Sequence, residues 1–388
     1  MTIKTLLMAS AAALVSATAA GAADAVVYEP EPVEYVKVCD AYGAGFFYIP
    51  GTETCLKIDG YVRVQLGFTN EDLVSDVPNL HGFATGHYNP IARARLNFDA
   101  RSDTEWGTLR SYIRFQSEWK NSGVSVDANT VADQAYLELG GLRMGYTESA
   151  WSKSMKGKVS DGGAHTDSGL TFGDQQRFLI AYTFASNGFA ATLSLEDDDD
   201  FVANYVPDVV GVLSYNAGWG GVWAKLAYDE QIANIGAKLP IPAVPGFATN
   251  GSFAAQLGVQ INVPNMKGSS FRLIGYYSDA DNAYGPAPFR GTKFPYTTLG
   301  SAEWSVLASY RHQFSPTFAA VVAGQYFKDF YIAGTSINSN VDGWQGELEL
   351  VWTPVENFEV RTAVAYRDID AAGFNGSTSG FLRFVRSF

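Results

Sequence analysis

Arginine recurs at alternate positions in the first third of the chain. The stretch "IARARLNFDAR" carries Arg93 and Arg95, and "RSYIRFQSE" carries Arg110 and Arg114. Small or apolar residues separate them, and Arg63 in "YVRVQLGF" follows the same rule. Guanidinium groups at this spacing could hold anionic groups or, opposite carboxylates, create an electric field. Because successive side chains of a β-strand point to opposite faces, each stretch predicts a strand with one charged face and one apolar face.

Catalytic and metal-binding patterns are weak by comparison. The four histidines are His81, His87, His165 and His312, and no serine lies in a G-x-S-x-G motif. In "LEDDDDFVAN" four consecutive carboxylates cannot all point at one ion, and the spaced ligands of a calcium loop are missing. We interpret this stretch as a solvated loop, with a cation bridge to lipopolysaccharide phosphates or an electrostatic lure for cations as alternatives. The sequence predicts no enzyme, no metal site and no cofactor.

The N-terminus has the features of a secretory signal peptide. Lys4 precedes a short apolar run, and Ala20-Gly21-Ala22 fits the A-x-A cleavage pattern. The run is too short and too rich in Ala and Ser to anchor the chain in a bilayer. We expect residues 1–22 to be removed, so the mature protein is exported. The full chain has a formal charge of -13, and loss of Lys4 with the signal makes it -14, so nucleic acid is an unsuitable partner.

The two cysteines, Cys39 and Cys55, belong to this exported chain. Nearby thiols in an oxidising compartment usually pair, and Pro50-Gly51 predicts a turn that folds one cysteine back toward the other. We predict a disulfide within an N-terminal segment at 23–57, with two free thiols as the alternative.

Strand length and loop spacing distinguish a membrane protein from a soluble β-protein. Tilted membrane strands need about ten residues, whereas soluble strands usually have five or six. Short turns and long loops alternate along this chain, as in outer-membrane barrels, and no fixed repeat suggests a propeller. The predicted strands are 58–69, 90–102, 106–118, 129–139, 141–148, 176–186, 188–196, 209–217, 220–230, 252–263, 269–279, 301–314, 317–330, 342–353, 357–368 and 379–388. We therefore predict an all-β fold, a transmembrane antiparallel up-and-down barrel of about sixteen strands over 58–388.

The final stretch, "SGFLRFVRSF", predicts the strand that closes the barrel by pairing with the first. Leu382, Phe384 and Phe388 share one parity, and Arg386 on the same parity could extend to lipid head groups. A terminal aromatic residue after alternating apolar positions resembles the signal that the barrel-assembly machinery recognises in outer-membrane proteins. We expect Phe388 to have that role.

The stretch "VEYVKVCDAYGAGFFYIPGTETCLKIDGYVR" resembles the opening of the porins of alphaproteobacteria, the group found in rhizobia and brucellae. The signal, the "ADAVVYEPEPVEYV" leader and the "GFLRF" ending resemble the same family, so the similarity spans the chain. The resemblance implies a homotrimer in the outer membrane of a Gram-negative bacterium, in contact with lipopolysaccharide, that passes small hydrophilic solutes and ions by passive diffusion. A substrate-specific channel for a sugar or an anion is the alternative.

In porins the third long loop folds inward and narrows the pore, so the resemblance suggests a charged filter. Here that loop is 149–175, and its carboxylates would face the arginines of the early strands. The alternative is that the arginines are lumen residues paired with Glu118, Asp99 or Glu138, without a filter role. The candidate pore constriction comprises Arg63, Arg93, Arg95, Arg110, Arg114, Arg143, Glu148, Asp161, Asp167 and Asp174.

Overall fold

The structure is a computed structural model that describes residues 37–70, 87–121, 126–152, 163–167, 170, 172–197, 206–230, 251–289, 293–294, 297–371 and 376–388. The predicted signal peptide at 1–22 and the acidic run at 198–200 lie outside these residues. Within the described ranges, no helix is long and apolar enough to span a bilayer.

Almost all of the described chain is antiparallel β-strand. The strands are β1 Phe47–Tyr48, β2 Cys55–Thr69, β3 His87–Thr104, β4 Gly107–Asn121, β5 Val126–Leu139, β6 Leu142–Glu148, β7 Gln176–Ser186, β8 Phe189–Glu196, β9 Asp208–Ala217, β10 Gly220–Asp229, β11 Ser252–Asn262, β12 Ser270–Ser278, β13 Lys293–Phe294, β14 Thr297–Ser315, β15 Phe318–Ile332, β16 Gly343–Val355, β17 Phe358–Ile369 and β18 Ser377–Ser387. The two-residue strands β1 and β13 lie outside the ring, and the other sixteen form a closed barrel. This confirms the predicted fold class.

The barrel closes where β18 pairs with β2. Arg383 lies opposite Gln65 in this register. Beyond the last ladder pair, the N–H of Phe388 donates to the carbonyl of Gly60 at 3.1 Å, and the Gly60 N–H donates back at 3.2 Å. Closure removes the sheet edges that would otherwise leave backbone groups without hydrogen-bond partners in a membrane.

The strands carry their apolar side chains on the outside of the barrel. In β7 the outward residues Phe178, Ile180, Tyr182 and Phe184 are each more than half exposed. The inward residues between them, Leu179, Ala181 and Thr183, are buried. Leaving four large apolar side chains in water would forgo about 2 kcal/mol each, so this surface is suited to lipid.

Aromatic pairs flank the apolar band at both ends of the barrel, which we name by their connections. At the long-loop end, outward Trp344 packs on Tyr366 with ring centroids 5.3 Å apart. At the short-turn end, Phe314 and Phe318 lie 5.6 Å apart. Such side chains favour the two bilayer interfaces.

A small hairpin precedes the ring at the short-turn end. A 3-10 helix at Asp40–Tyr42 and strand β1 fold back onto β2, and the disulfide Cys39–Cys55 joins the two sides. The Tyr42 hydroxyl donates to the Asp103 carboxylate at 2.8 Å, which ties the hairpin to the start of the β3–β4 turn. The predicted disulfide is confirmed, and Cys55 itself is the first residue of the barrel strand.

We expect the double substitution Cys39→Ser and Cys55→Ser to loosen this hairpin without opening the barrel. A loop of sixteen residues contributes about 3 kcal/mol in the chain-entropy model, and that contribution would be lost locally. Limited proteolysis should cleave the variant faster before β2, while the heat-modifiable gel mobility of the barrel stays unchanged. Mass spectrometry of unreduced wild-type peptides that finds two free thiols would contradict the premise.

Candidate functional site

Seven arginines cover the inner face of β2, β3, β4 and β6, and we call them the arginine wall. They point inward because they share the polar parity of strands whose other parity meets lipid. Within the wall some arginines are direct cross-strand neighbours, such as Arg63 with Arg93 and Arg101 with Arg110. Like charges in such positions repel, so the wall needs carboxylates among them. The members are Arg63, Arg93, Arg95, Arg101, Arg110, Arg114 and Arg143.

Glu118 and Asp99 each serve more than one arginine. Glu118 pairs with Arg93 and lies 3.7 Å from Arg63. Asp99 accepts from Arg101 at 2.7 Å and from Arg110 at 2.8 Å. These carboxylates neutralise the pairs of arginines that the strand register places together.

The remaining arginines converge on other carboxylates. Asp133 lies 3.7 Å from Arg95 and 3.5 Å from Arg114, at a β-bulge in the pairing of β4 with β5. Glu148 lies 3.8 Å from Arg114. Glu138 accepts from Arg110 at 3.0 Å and from the Nε of Arg143 at 2.6 Å. Seven arginines therefore share five carboxylates.

Two stacked tyrosines hold part of the wall rigid. Tyr112 and Tyr136 stack with ring centroids 5.0 Å apart. The Arg110 guanidinium lies 5.0 Å from the Tyr112 ring centre, and that of Arg143 lies 5.0 Å from Tyr136. Stacking on both sides fixes the planes of the guanidinium groups, so their charges have defined positions.

The third long loop is 149–175, and we call it L3; its described residues include some that contact the opposite side of the ring. His165 contacts the inward Ser309 of β14 through Nδ1 at 2.7 Å and Ser270 of β12 through Nε2 at 2.8 Å. Two residues on, Asp167 donates its N–H to Glu349 of β16 at 3.0 Å and pairs with Arg383 of β18. The described part of L3 therefore folds inward, as the family resemblance implied.

The environment of His165 keeps its imidazole neutral. Burial, together with the positive charges of Arg272 and Arg311, lowers the pKa of His165 to about 3. The neutral ring has one donor and one acceptor nitrogen, which suits its two serine partners. Because the folded pKa is below the usual value of about 6.5, this anchor is intact above that pH and weakens as the pH falls from 6.5 toward 3.

The predicted acidic residues have different fates. Glu148 joins the arginine wall, Asp167 pairs outside it with Arg383, and Asp174 is exposed on the return arm of L3. Asp161 lies outside the described residues. The arginines pair with Glu118, Asp99 and Glu138 as the alternative interpretation required, and such pairing is compatible with either role.

Sequence reasoning missed Arg383 as a member of this site. Its parity is opposite to that of Leu382 and Phe384, so an inward position could have been deduced. Its partner Asp167 could not be deduced, because the path of a loop such as L3 does not follow from a regular alternation of residues.

Known proteins with similar sequence or fold agree with this architecture. The sequence pattern of the family described as "Porin subfamily" matches residues 24–383. Porin Omp2b of Brucella abortus (strain 2308) is 42% identical over 260 residues, which cover 62% of this chain and 69% of the relative.

Two solved structures share the fold. The outer membrane channel DcaP of Acinetobacter baumannii has a TM-score of 0.64 at 14% identity, covering 88% of this chain and 99% of its own. The anion-selective porin from Comamonas acidovorans has a TM-score of 0.58 at 12% identity, covering 87% of this chain and 100% of its own. The chain belongs to the porin subfamily, and it is a multi-pass channel for passive diffusion across the outer membrane of a Gram-negative bacterium.

Proposed function

We propose that the arginine wall and L3 form the selectivity filter of this channel, which passes small hydrophilic solutes and ions. The observation that carries the proposal is that L3 enters the same lumen that the wall lines. The wall holds seven arginines and five carboxylates and keeps a net positive charge, whereas Asp167 of L3 and Glu349 of β16 are each balanced by an arginine, Arg383 and Arg361. An uneven distribution of fixed charge around a narrow section produces a transverse field.

Small polar solutes can align with such a field and keep part of their hydration. Large or apolar solutes lose hydration there and gain little in return, because the lining offers charged and amide groups instead of apolar surface. The filter would thus exclude by size and polarity, without a binding step. Porins are channels rather than enzymes, so no reaction is assigned to these residues.

A substrate-specific channel would need an exposed aromatic track for sugars or a dedicated anion site. Tyr112, Trp223 and Tyr276 face inward, but all three are buried. Tyr112 stacks in the arginine wall, while Trp223 packs with Leu170 of L3. These three rings therefore offer no open aromatic surface along the lumen, which favours general diffusion over the sugar-specific alternative.

We further propose a homotrimer whose contacts involve β3, β4 and β5. Their outward face includes small or polar residues where β7 carries bulky apolar ones. Ser117 on β4 and Thr130 on β5 share a hydrogen bond of 2.8 Å on this outer surface. Hydroxyl groups are costly to leave in hydrocarbon, and small side chains allow close approach of a second sheet, so a neighbouring copy suits this face better than lipid.

Phe388 is proposed as the residue that the barrel-assembly machinery recognises, since it is exposed and lies on the outward parity. Lipopolysaccharide is the proposed contact of the long-loop end, which would face the outer leaflet if the short turns lie in the periplasm.

We expect purified protein in a planar bilayer to conduct in steps grouped in threes, because each insertion of a trimer would open three barrels. Liposomes that contain the protein should swell in small sugars and fail to swell in large oligosaccharides. A folded, heat-modifiable preparation that gives silent bilayers and no swelling would refute the channel proposal, whereas single steps with normal swelling would refute only the trimer.

Replacing Arg93 and Arg95 together by Gln should shift selectivity toward cations. Two unit charges about 8 Å apart in water interact by roughly 0.5 kcal/mol, so each lost charge should raise cation permeability and lower anion permeability about twofold each at low salt. Reversal potentials across a salt gradient measure this ratio, and the shift should shrink at high salt because screening increases.

Arg386→Gln is the matched control, because Arg386 is exposed on the outward parity of β18. It removes one arginine charge outside the lumen, against two inside it in the double variant, and should leave the reversal potential unchanged. Equal shifts in the control and the double variant, or none in either, would show that the arginine wall does not set the filter.

A further inference from the structure

A second loop also lies inside the barrel mouth. It joins β12 to β14 over 279–296, and we call it L6. Its described part runs along the inner side of the long-loop end and contacts strands from β8 to β17. Near its start, Asp281 is fully buried and accepts hydrogen bonds from the N–H groups of Ser301 at 2.7 Å and Gly334 at 2.8 Å. Satisfied buried polar groups of this kind fix a loop in one conformation.

The middle and the end of the stretch 279–289 are anchored on different strands. In the middle, the Tyr284 hydroxyl donates to Asp208 of β9 at 2.8 Å and lies 3.4 Å from Glu196 of β8. At the end, Phe289 packs against Phe330 of β15 with ring centroids 5.6 Å apart. An arginine of β17, Arg367, donates to the Pro288 carbonyl at 2.9 Å. L6 therefore spans a large part of the ring at the mouth.

L6 also touches both arms of L3. The Tyr284 ring packs against Trp151 of the entering arm, with ring centroids 5.7 Å apart, and both side chains are fully buried. On the returning arm, Gly173 has a φ of +80°, and a Cβ there would collide with the Tyr284 carbonyl oxygen. The loops are packed backbone against backbone, which only glycine permits at this position.

Glu196 connects the two loops through one carboxylate. One of its oxygens accepts the N–H of Ala150 in the entering arm of L3 at 3.0 Å, and the other faces the Tyr284 hydroxyl. Burial and the neighbouring carboxylates of Glu196 and Asp208 raise the pKa of Tyr284, so its hydroxyl stays protonated and remains a donor. A buried carboxylate without such a donor would be costly.

We propose that L6 positions L3, with Tyr284 as the positioning residue, and thereby sets the open cross-section of the channel. L3 is then fixed at its root by L6 and at its inner part by His165, Asp167 and their partners. The described residues of the two loops contact strands from β8 to β18, so we expect solutes to pass along the arginine wall. The inference rests on the proposed role of L3 in the constriction.

The test compares Tyr284→Ala and Tyr284→Phe with the wild type. Tyr284→Ala removes the ring that holds Trp151 and should free the root of L3. We expect a several-fold rise in open-channel current noise, frequent brief partial closures, and swelling of liposomes in sugars that the wild type excludes. Tyr284→Phe keeps the ring and loses only the hydroxyl, so it should show a smaller change in the same direction.

Tyr331→Phe is the matched control. Tyr331 is buried at the same end of the barrel, but its hydroxyl donates to the Ser278 carbonyl of β12 at 3.0 Å instead of contacting L3. Tyr331→Phe should lower the thermal stability about as much as Tyr284→Phe does. Its open-channel current noise and its size limit for solutes should stay at the wild-type values. Heat-modifiable mobility verifies that every variant is folded.

A folded Tyr284→Ala channel with wild-type noise and wild-type size limit would overturn the inference. So would equal noise in Tyr331→Phe, because the effect would then reflect general destabilisation. If the arginine wall and L3 do not form the filter, the reversal potentials of the arginine variants will show this independently of the Tyr284 variants. If Tyr284→Ala does not fold, Tyr284→Phe and Trp151→Phe provide the same comparison with smaller changes in volume.

Discussion

The need to satisfy every backbone hydrogen bond within the bilayer governs this structure. In hydrocarbon no water can pair with an exposed N–H or carbonyl group, and each orphan group costs several kcal/mol, so the sheet must close on itself. The pairing of β18 with β2 meets that requirement, extended by the two hydrogen bonds between Phe388 and Gly60. Once the ring is closed, every strand has one face toward lipid and one toward the lumen. The charged side chains of the strands must then point into the lumen.

Crowding of charge in the lumen follows from that parity. Arg63 and Arg93 face each other because the register leaves no choice, and Glu118 on the next strand supplies the compensating charge. The arginines share carboxylates and stack on Tyr112 and Tyr136. These contacts offset the repulsion between neighbouring arginines and hold the guanidinium groups in a rigid surface. The same network that makes the charges tolerable also holds them at fixed positions, which a field across a pore requires.

Local periodicity predicts the ring well and the loops poorly. The sequence predicts the ends of all sixteen barrel strands to within about four residues, because each strand has its own alternation of polar and apolar residues. Inward placement of the six predicted arginines followed from the same rule. By contrast, the partner of Asp167 and the entry of Tyr284 into the barrel depend on tertiary contacts between distant segments, which have no period. The bulge at Asp133 likewise breaks the alternation and could not be read from it.

Because L3 and L6 both contact the carboxylate of Glu196, the conformation of one loop depends on the other. A graft of L3 from a relative would bring its own residue at the position of Ala150, yet would meet the Tyr284 and Glu196 of the host. Shape and hydrogen bonding would then have to match at the Gly173 contact as well, where no side chain fits. The path of L3 therefore depends on contacts with a loop more than a hundred residues away, and a graft that transfers the two loops together should preserve those contacts best.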